Sequence, residues 1–196
     1  MYELPTTITV EGVPYKIRNN GDFRIILDCF AALRDDTIGE DARFLASLII
    51  FYEDLQDLSD VPHDENVQQQ LITEMFKFMD GDKNSSTYKT SSASLVDWEG
   101  DSSIICAAIN NVAHTEIRAL PYLHWWTFLG YYLSIGQSVL STVVNIRDKI
   151  VHGKKLEKWE REYRRDNPEY FMWRRQTTEE AEFDRKLREQ FHGGAK

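Results

Sequence analysis

The spacing of apolar residues changes along the chain and predicts which segments are strands and which are helices. Residues 6–10 and 15–18 alternate apolar and polar side chains around Gly12 and Pro14, which is typical of a short β-hairpin. Beyond residue 20, apolar residues recur every three or four positions, which is the spacing of amphipathic helices. This spacing predicts helices over about 21–35, 37–54, 62–81, 104–112, 121–135, 138–151, 154–165 and 177–191.

Several boundaries carry local signals for where a helix begins or ends. Thr37 and Glu40 have the spacing of a capping box, so we expect their side chains to start the second helix. Gly153 and the Asn167-Pro168 pair are typical of helix ends. Residues 81–94 are rich in Ser, Thr and Lys and contain no large aliphatic residue, which predicts a flexible loop.

Together these signals predict a mainly α-helical protein. We expect a single helical domain over residues 1–166, with a β-hairpin at about 6–18 and the flexible loop at about 81–94. Residues 167–196 are expected to form a C-terminal extension that carries an amphipathic helix. Its narrow apolar stripe is of the kind that docks on a neighbouring element or on a second subunit.

A long uncharged stretch raises the question of a membrane span. Residues 119–146 contain no Asp, Glu, Lys or Arg, which is long enough for a helix to cross a bilayer. His124, Gln137, Asn145 and several hydroxyl residues interrupt it, and its aromatic residues are central rather than at the two ends. Two buried helices of a soluble protein explain this stretch better, and no membrane contact is expected.

The segment 154–165 combines aromatic and basic residues. Leu156, Trp159 and Tyr163 are spaced to form an apolar seam, and Glu157 to Arg161 and Glu160 to Arg164 have the spacing of helical ion pairs. Because glutamates alternate with the basic residues, a solvated helix is favoured over a nucleic-acid contact.

The charge of the chain is unevenly distributed. The 196 residues include 23 Lys and Arg against 32 Asp and Glu, a net charge of −9. Residues 1–100 hold 8 basic and 19 acidic side chains, whereas residues 101–196 hold 15 and 13. The acidic balance argues against binding nucleic acid, and the asymmetry can set how copies of the chain meet.

No recognisable catalytic or metal-binding motif is present. The sequence lacks H-E-x-x-H, phosphate-loop, dinucleotide-binding and nucleophile-elbow patterns, and we expect no cofactor, no metal and no enzyme activity. The nearest candidate for acid and base chemistry is the set His114, Glu116 and His124, although a histidine beside two tryptophans is more often a core residue. Cys29 and Cys106 are expected to be buried hydrophobic residues rather than disulfide partners.

Several blocks of the sequence resemble one family. They are Val96-Asp-Trp-Glu-Gly-Asp101, the segment Leu123-His-Trp-Trp-Thr-Phe-Leu-Gly-Tyr-Tyr, Val143-Val-Asn-Ile-Arg147 and Gly153-Lys-Lys-Leu-Glu-Lys-Trp159. Their spacing is similar to that of the "gp fifteen" family of tailed bacteriophages over residues 1–166, and the L-H-W-W-x-F block is the most specific part. One departure is that Ser102, Ser103 and Ile104 follow Asp101, where typical members carry two acidic residues and an aromatic one.

The resemblance implies a tail-morphogenesis protein without catalytic residues. Such proteins are encoded beside the major tail protein and the tape-measure protein, in the position of tail assembly chaperones. We therefore expect a chaperone in the host cytoplasm that binds the tape-measure protein and forms a homo-oligomer, with the major tail protein as a second candidate partner. The alternative is a minor structural component that stays in the virion.

The partner is expected to bind through aromatic and apolar side chains, because a chaperone for a long amphipathic protein must cover apolar stripes. The candidates are Leu123, His124, Trp125, Trp126, Phe128, Tyr131, Tyr132, Trp159, Phe183, Leu187 and Phe191.

Overall fold

The computed structural model describes residues 3–81 and 95–173. Most of the predicted flexible loop at 81–94 lies outside the described residues. The same is true of the predicted C-terminal helix and of its three candidate binding residues, Phe183, Leu187 and Phe191.

The described residues are mainly α-helical, with one short antiparallel hairpin, which confirms the predicted fold class. The two strands are β1 (Thr7–Val10) and β2 (Val13–Lys16), and the helices are α1 (Phe23–Leu33), α2 (Glu40–Phe51), α3 (Glu65–Met79), α4 (Ser102–Ala113), α5 (Trp125–Leu133), α6 (Val139–Val151) and α7 (Lys158–Asp166). Among the described residues, short 3₁₀ turns at Arg18–Gly21, Ile117–Ala119 and Pro168–Phe171 join or follow these elements.

The described chain forms two compact units. The first consists of residues 3–81 and 119–130, and the second of residues 95–118 and 131–173. Each unit has its own buried apolar side chains, so each has its own core. The domain boundary predicted at residue 166 stays a prediction.

In the first unit, the hairpin is closed by a two-residue turn. Glu11 and Gly12 both have positive φ angles, 49° and 81°, as a hairpin turn that follows the right-handed twist of the strands requires. Beyond β2, the chain pairs with the segment that follows α2, through a bridge between Ile17 and Tyr52. The hairpin is therefore packed against helices, which a two-stranded sheet needs for stability.

The start of α2 corrects a prediction. Its N-cap is Gly39, which makes no side-chain cap, and the Thr37 hydroxyl donates instead to the Asp35 carboxylate at 2.6 Å. The capping box predicted from Thr37 and Glu40 is wrong because a turn formed by Asp35 takes the Thr37 hydroxyl.

The other end of α2 is held by a cation that the sequence did not indicate. The Arg18 guanidinium donates to the carbonyl oxygens of Ile49, Ile50, Tyr52 and Leu55 at 2.8–3.1 Å. The last carbonyls of a helix lack partners within the helix and carry partial negative charge. Arg18 therefore neutralises the C-terminal end of α2.

In the second unit, α4 contacts α6, and the turn Pro168–Phe171 contacts both α6 and α7. Asn167 ends α7, as predicted. The predicted apolar seam of this helix is only partly present, because α7 starts at Lys158 and leaves Leu156 outside it. Glu160 points inward and accepts a hydrogen bond from the Lys149 ammonium at 2.6 Å, whereas Trp159 is 54% exposed. The spacing had suggested an ion pair between Glu160 and Arg164, but Glu160 pairs with Lys149 of α6 instead.

Among the described residues, no helix has both the length and the apolar character needed to cross a bilayer. The uncharged stretch at 119–146 is instead divided between α5, α6 and the turns beside them.

Candidate functional site

The two tryptophans of the L-H-W-W block cap a helix of the first unit. Trp125 and Trp126 form the first turn of α5. Their indole N–H groups donate to the carbonyl oxygens of Met79 at 2.7 Å and of Phe78 at 2.9 Å, at the C-terminal end of α3. The last carbonyls of a helix lack full pairing within the helix. The Phe78 carbonyl also accepts the Gly81 amide N–H at 3.0 Å, and the two indoles add side-chain donors at this end of α3.

His124 is 1% exposed and is held on both sides of its ring. Its Nδ1 accepts the Trp126 amide N–H at 3.0 Å, and its Nε2 lies 3.0 Å from the Pro5 carbonyl oxygen. Since a carbonyl can only accept, Nε2 carries the hydrogen and the ring is a neutral tautomer. Burial lowers the pKa of the His124 imidazole, against the opposing effect of the Pro5 carbonyl. His124 is therefore a core residue whose two ring nitrogens both form hydrogen bonds with the backbone.

Asp22 joins the same block to the start of α1. One carboxylate oxygen accepts the Arg24 amide N–H and caps α1, and the other accepts the Leu123 amide N–H at 2.9 Å. The Leu123 carbonyl in turn accepts the Phe23 amide N–H at 2.9 Å. The L-H-W-W block thus connects the N-terminal end of α1 with the C-terminal end of α3.

Gly21 is the position where this arrangement leaves no room for a side chain. A Cβ atom at Gly21 would lie 2.8 Å from the Phe78 ring and 3.2 Å from His124 Nε2, and its φ is +76°. Both the space and the backbone angle therefore require glycine.

The candidate binding residues differ widely in exposure. Leu123, His124, Trp125 and Phe128 are buried in the first unit, at 1–8% exposure. Trp126, Tyr131 and Tyr132 are partly exposed, and Trp159 is 54% exposed. Tyr132 packs within the second unit against the Trp98 ring, with centroids 5.1 Å apart. Among the candidates that the structure describes, the partly and highly exposed ones can reach a partner in this conformation, and their role in binding stays a prediction.

The acid and base alternative receives no geometric support from Glu116. Both Glu116 carboxylate oxygens pair with the Arg118 guanidinium at 2.8 Å, and one also accepts from the Asn110 amide. These bonds lower the pKa of Glu116 to about 2, with those from Arg118 largest, so it holds no proton to donate near neutral pH. His114 ends α4 with a left-handed φ of 54°. Within residues 3–81 and 95–173, no group of three His, Cys, Asp or Glu residues is arranged to hold a metal ion.

Sequence reasoning missed the most extensive polar contact of the second unit. The Arg147 side chain is 1% exposed and uses all five of its N–H groups. Two donate to the Asp101 carboxylate at 2.5 and 2.8 Å, two to the Tyr170 carbonyl and one to the Leu95 carbonyl. The guanidinium also lies 4.6 Å from the centre of the Trp173 ring. Arg147 therefore joins α4, α6 and the segment after α7.

A signal for this contact was available in the sequence. Leu140, Val143 and Arg147 have helical spacing, and the first two are buried. A charged residue on a buried helix face requires a charged partner, and Asp101 in the W-E-G-D block supplies it.

The rest of the W-E-G-D block forms a tight turn. The Asp97 carboxylate accepts the amide N–H groups of Glu99 and Gly100, and Asp101 accepts the Asp97 amide. A Cβ atom at Gly100 would lie 2.8 Å from the Asp97 carboxylate, so a side chain here would displace that carboxylate. The block has a structural role, which is to place Asp101 against Arg147.

Exposed apolar side chains are the remaining feature that could bind a partner. Leu133 and Val139 flank the turn between α5 and α6 and are 47% and 48% exposed. Residues 133–139 carry no charge. Trp159, Val151 and Met172 are further exposed apolar residues of the second unit. Large apolar groups in water are candidates for protein contacts when they cluster, and the Leu133 to Val139 turn places two of them close in sequence.

The comparisons with known proteins give one match. The family model described as Bacteriophage Gp15 protein matches residues 1–172. Neither the curated proteins nor the solved structures contain a match to the chain.

Proposed function

Because this chain belongs to the bacteriophage Gp15 protein family, we propose that it is a phage tail assembly chaperone. In this proposal the chain binds the tape-measure protein in the host cytoplasm and assists polymerisation of the tail tube, and it acts by binding rather than by catalysis. The major tail protein is a possible second partner, and copies of the chain associate with one another.

The observation that carries this proposal is the contrast between buried and exposed apolar residues. In the first unit, the L-H-W-W block is committed to internal hydrogen bonds at the ends of α1 and α3. In the second unit, Leu133, Val139 and Trp159 are about half exposed. Leu4, Val13 and Leu58 of the first unit are also exposed, but Leu133 and Val139 flank an uncharged turn and Trp159 is the largest exposed apolar side chain among the described residues. We assign the contact with the tape-measure protein to these exposed residues of the second unit.

Exposed apolar residues of this kind suit reversible binding to an amphipathic helix. Separate apolar side chains can contact an apolar stripe without forming a continuous hydrophobic core. Trp159 supplies the large aromatic contact that most often dominates binding energy. A chaperone must release its client, and a contact of this kind favours release.

The charge of the first unit supports the same role. Residues 3–81 contain 16 acidic and 6 basic side chains, and residues 119–130 contain none of either. A net negative charge of this size keeps a protein with exposed apolar groups soluble. The acidic unit would therefore hold a complex with an aggregation-prone client in solution.

Co-expression tests the proposal. A tape-measure fragment from the same phage genome should become soluble in the presence of the chain, and should elute with it from a sizing column. A fragment that stays equally insoluble with and without the chain would contradict the proposal.

A pair of variants locates the contact. Leu133→Ser should reduce the yield of soluble fragment, whereas Leu4→Ser, which alters a leucine of similar exposure in the first unit, should not. Equal yields with both variants would place the contact elsewhere. Mass spectrometry of purified particles separates the chaperone from the alternative, since a minor tail component would be found in the virion.

A further inference from the structure

The second unit contains a basic depression on the surface beside α7. It has a volume of about 490 Å³ and is lined by Leu156 and by four basic residues, Lys155, Arg161, Arg164 and Arg165. The Arg161 guanidinium is fixed by donating to the Leu156 carbonyl at 2.6 Å, and that of Arg165 pairs with Asp166. Within residues 3–81 and 95–173, Lys155 and Arg164 make no ion pair. The depression therefore presents positive charge around a half-buried leucine.

The first unit carries a loop with the opposite charge. Residues 53–60, which we call the acidic loop, contain four carboxylates and no basic residue. Leu58 lies among them and is 63% exposed. The loop is therefore complementary to the depression, because the loop combines negative charge with a leucine and the depression combines positive charge with a leucine.

The acidic loop is held in one conformation by its own side chains. The Asp57 carboxylate accepts the amide N–H and the hydroxyl of Ser59 at 2.7 and 2.5 Å, and the Asp60 carboxylate accepts the amides of Gln56 and Asp57. The Ser59 bonds lower the pKa of Asp57, so its charge is retained at neutral pH. A preorganised loop loses little conformational entropy when it docks.

We propose that the acidic loop of one copy of this chain docks in the basic depression of a second copy. The carboxylates of the loop would pair with Lys155 and Arg164, and Leu58 would contact Leu156. Arginine favours this pairing because its planar guanidinium can bind a carboxylate through two hydrogen bonds. The inference rests on the proposed function, and it names the surfaces through which the chaperone associates with itself.

The loop and the depression are different surfaces, and each copy carries one of each. After the first contact, a pair therefore keeps one loop and one depression, which either meet and close a symmetric dimer or bind further copies. Because each surface can be neutralised separately, mixing the two variants gives a test that an accidental contact would not pass.

Two neutralised variants are needed. Glu53→Gln with Asp57→Asn removes charge from the loop, and Asn keeps the oxygen that accepts from Ser59. Lys155→Gln with Arg164→Gln removes the two unpaired charges of the depression. Glu40→Gln with Asp41→Asn, at the exposed start of α2, is the control that removes the same charge from the first unit.

Analytical ultracentrifugation of nuclease-treated protein should show self-association of the wild-type chain that weakens with added salt. Each neutralised variant alone should associate at least about tenfold more weakly, since charge pairs at protein contacts commonly account for this much. The control should behave as the wild type. An equal mixture of the two variants should form a dimer of twice the 22.9 kDa chain mass and nothing larger, because only one intact loop and one intact depression remain per pair.

Several results would overturn the inference: a wild-type chain that stays monomeric, a mixture that associates no better than its components, or association that nuclease removes, which would indicate a nucleic-acid contact in the depression. The proposed function fails separately. A chain that associates as described but leaves the tape-measure fragment insoluble contradicts the chaperone role alone.

Discussion

Replacing Arg147 should destabilise the second unit severely. In Arg147→Met, the buried Asp101 carboxylate loses its cation and keeps only the Asp97 amide as a donor, while the carbonyls of Leu95 and Tyr170 lose theirs. Removing one partner of a buried ion pair costs about 3–5 kcal/mol, because the other charge stays buried without compensation. For a chain of this size, that corresponds to a fall of about 6–20 °C in melting temperature.

The matched control is an exposed ion pair of the same unit. Glu162 lies 4.0 Å from the Lys158 ammonium, and the two side chains are 49% and 84% exposed. Glu162→Gln should change the free energy of unfolding by about 0.5 kcal/mol or less, as exposed pairs generally do.

Denaturant unfolding combined with hydrogen exchange provides the measurement. Amides of α4 and α6 should lose protection in Arg147→Met, since Asp101 is the N-cap residue of α4 and Arg147 lies in α6. The double variant Asp101→Asn with Arg147→Met should be at least about 1 kcal/mol more stable than the sum of the single effects predicts. The reasoning is refuted if Arg147→Met is no more destabilising than Glu162→Gln, or if the two single effects simply add.

Three further outcomes follow from the first unit and from the thiols. Gly21→Ala should lower the denaturation midpoint more than Gly12→Ala, because both have positive φ but only Gly21 lacks space for a Cβ; equal midpoints would contradict this. In an NMR titration, the folded protein should keep His124 neutral below the usual histidine pKa of about 6.5. The unfolded state takes up the proton first, so the free energy of unfolding should fall as the pH drops below that value. A His124 midpoint at or above 6.5 would be incompatible with the buried ring. Alkylation followed by peptide mapping should leave Cys29 unmodified in the folded protein, since it is fully buried, and should modify the partly exposed Cys106 first. Burial raises the pKa of both thiols, so both reactions should be slow. Early labelling of Cys29 would show that the core opens.

The helices and the hairpin could be predicted from the sequence because their apolar spacing reflects which faces are buried. The starts of helices were less predictable. Thr37 had the right spacing for a cap, but Asp35 competes for its hydroxyl, and spacing alone does not decide between two local hydrogen bonds. In α7, the N-cap at Glu157 sets the phase of the helix and turns Glu160 inward, so Trp159 faces solvent.

The roles of the distinctive blocks were harder to predict, because they depend on contacts between distant residues. Trp125 bonds to a carbonyl 46 positions earlier, and Arg147 bonds to a carboxylate at the same separation. An aromatic block that looks like a binding surface in the sequence is therefore largely internal. The spacing of Arg147 on a buried face could have indicated a partner, but not which carboxylate it would be.

Site-specific photo-crosslinking during phage production tests the chaperone role most directly. A photoreactive amino acid at Leu133 or Trp159 should form an adduct with the tape-measure protein in cells before tails are complete, and the chain should be missing from purified particles. The same group at Leu4 should form no such adduct. Adducts that lack the tape-measure protein, or a chain that is retained in the particles, would contradict the account.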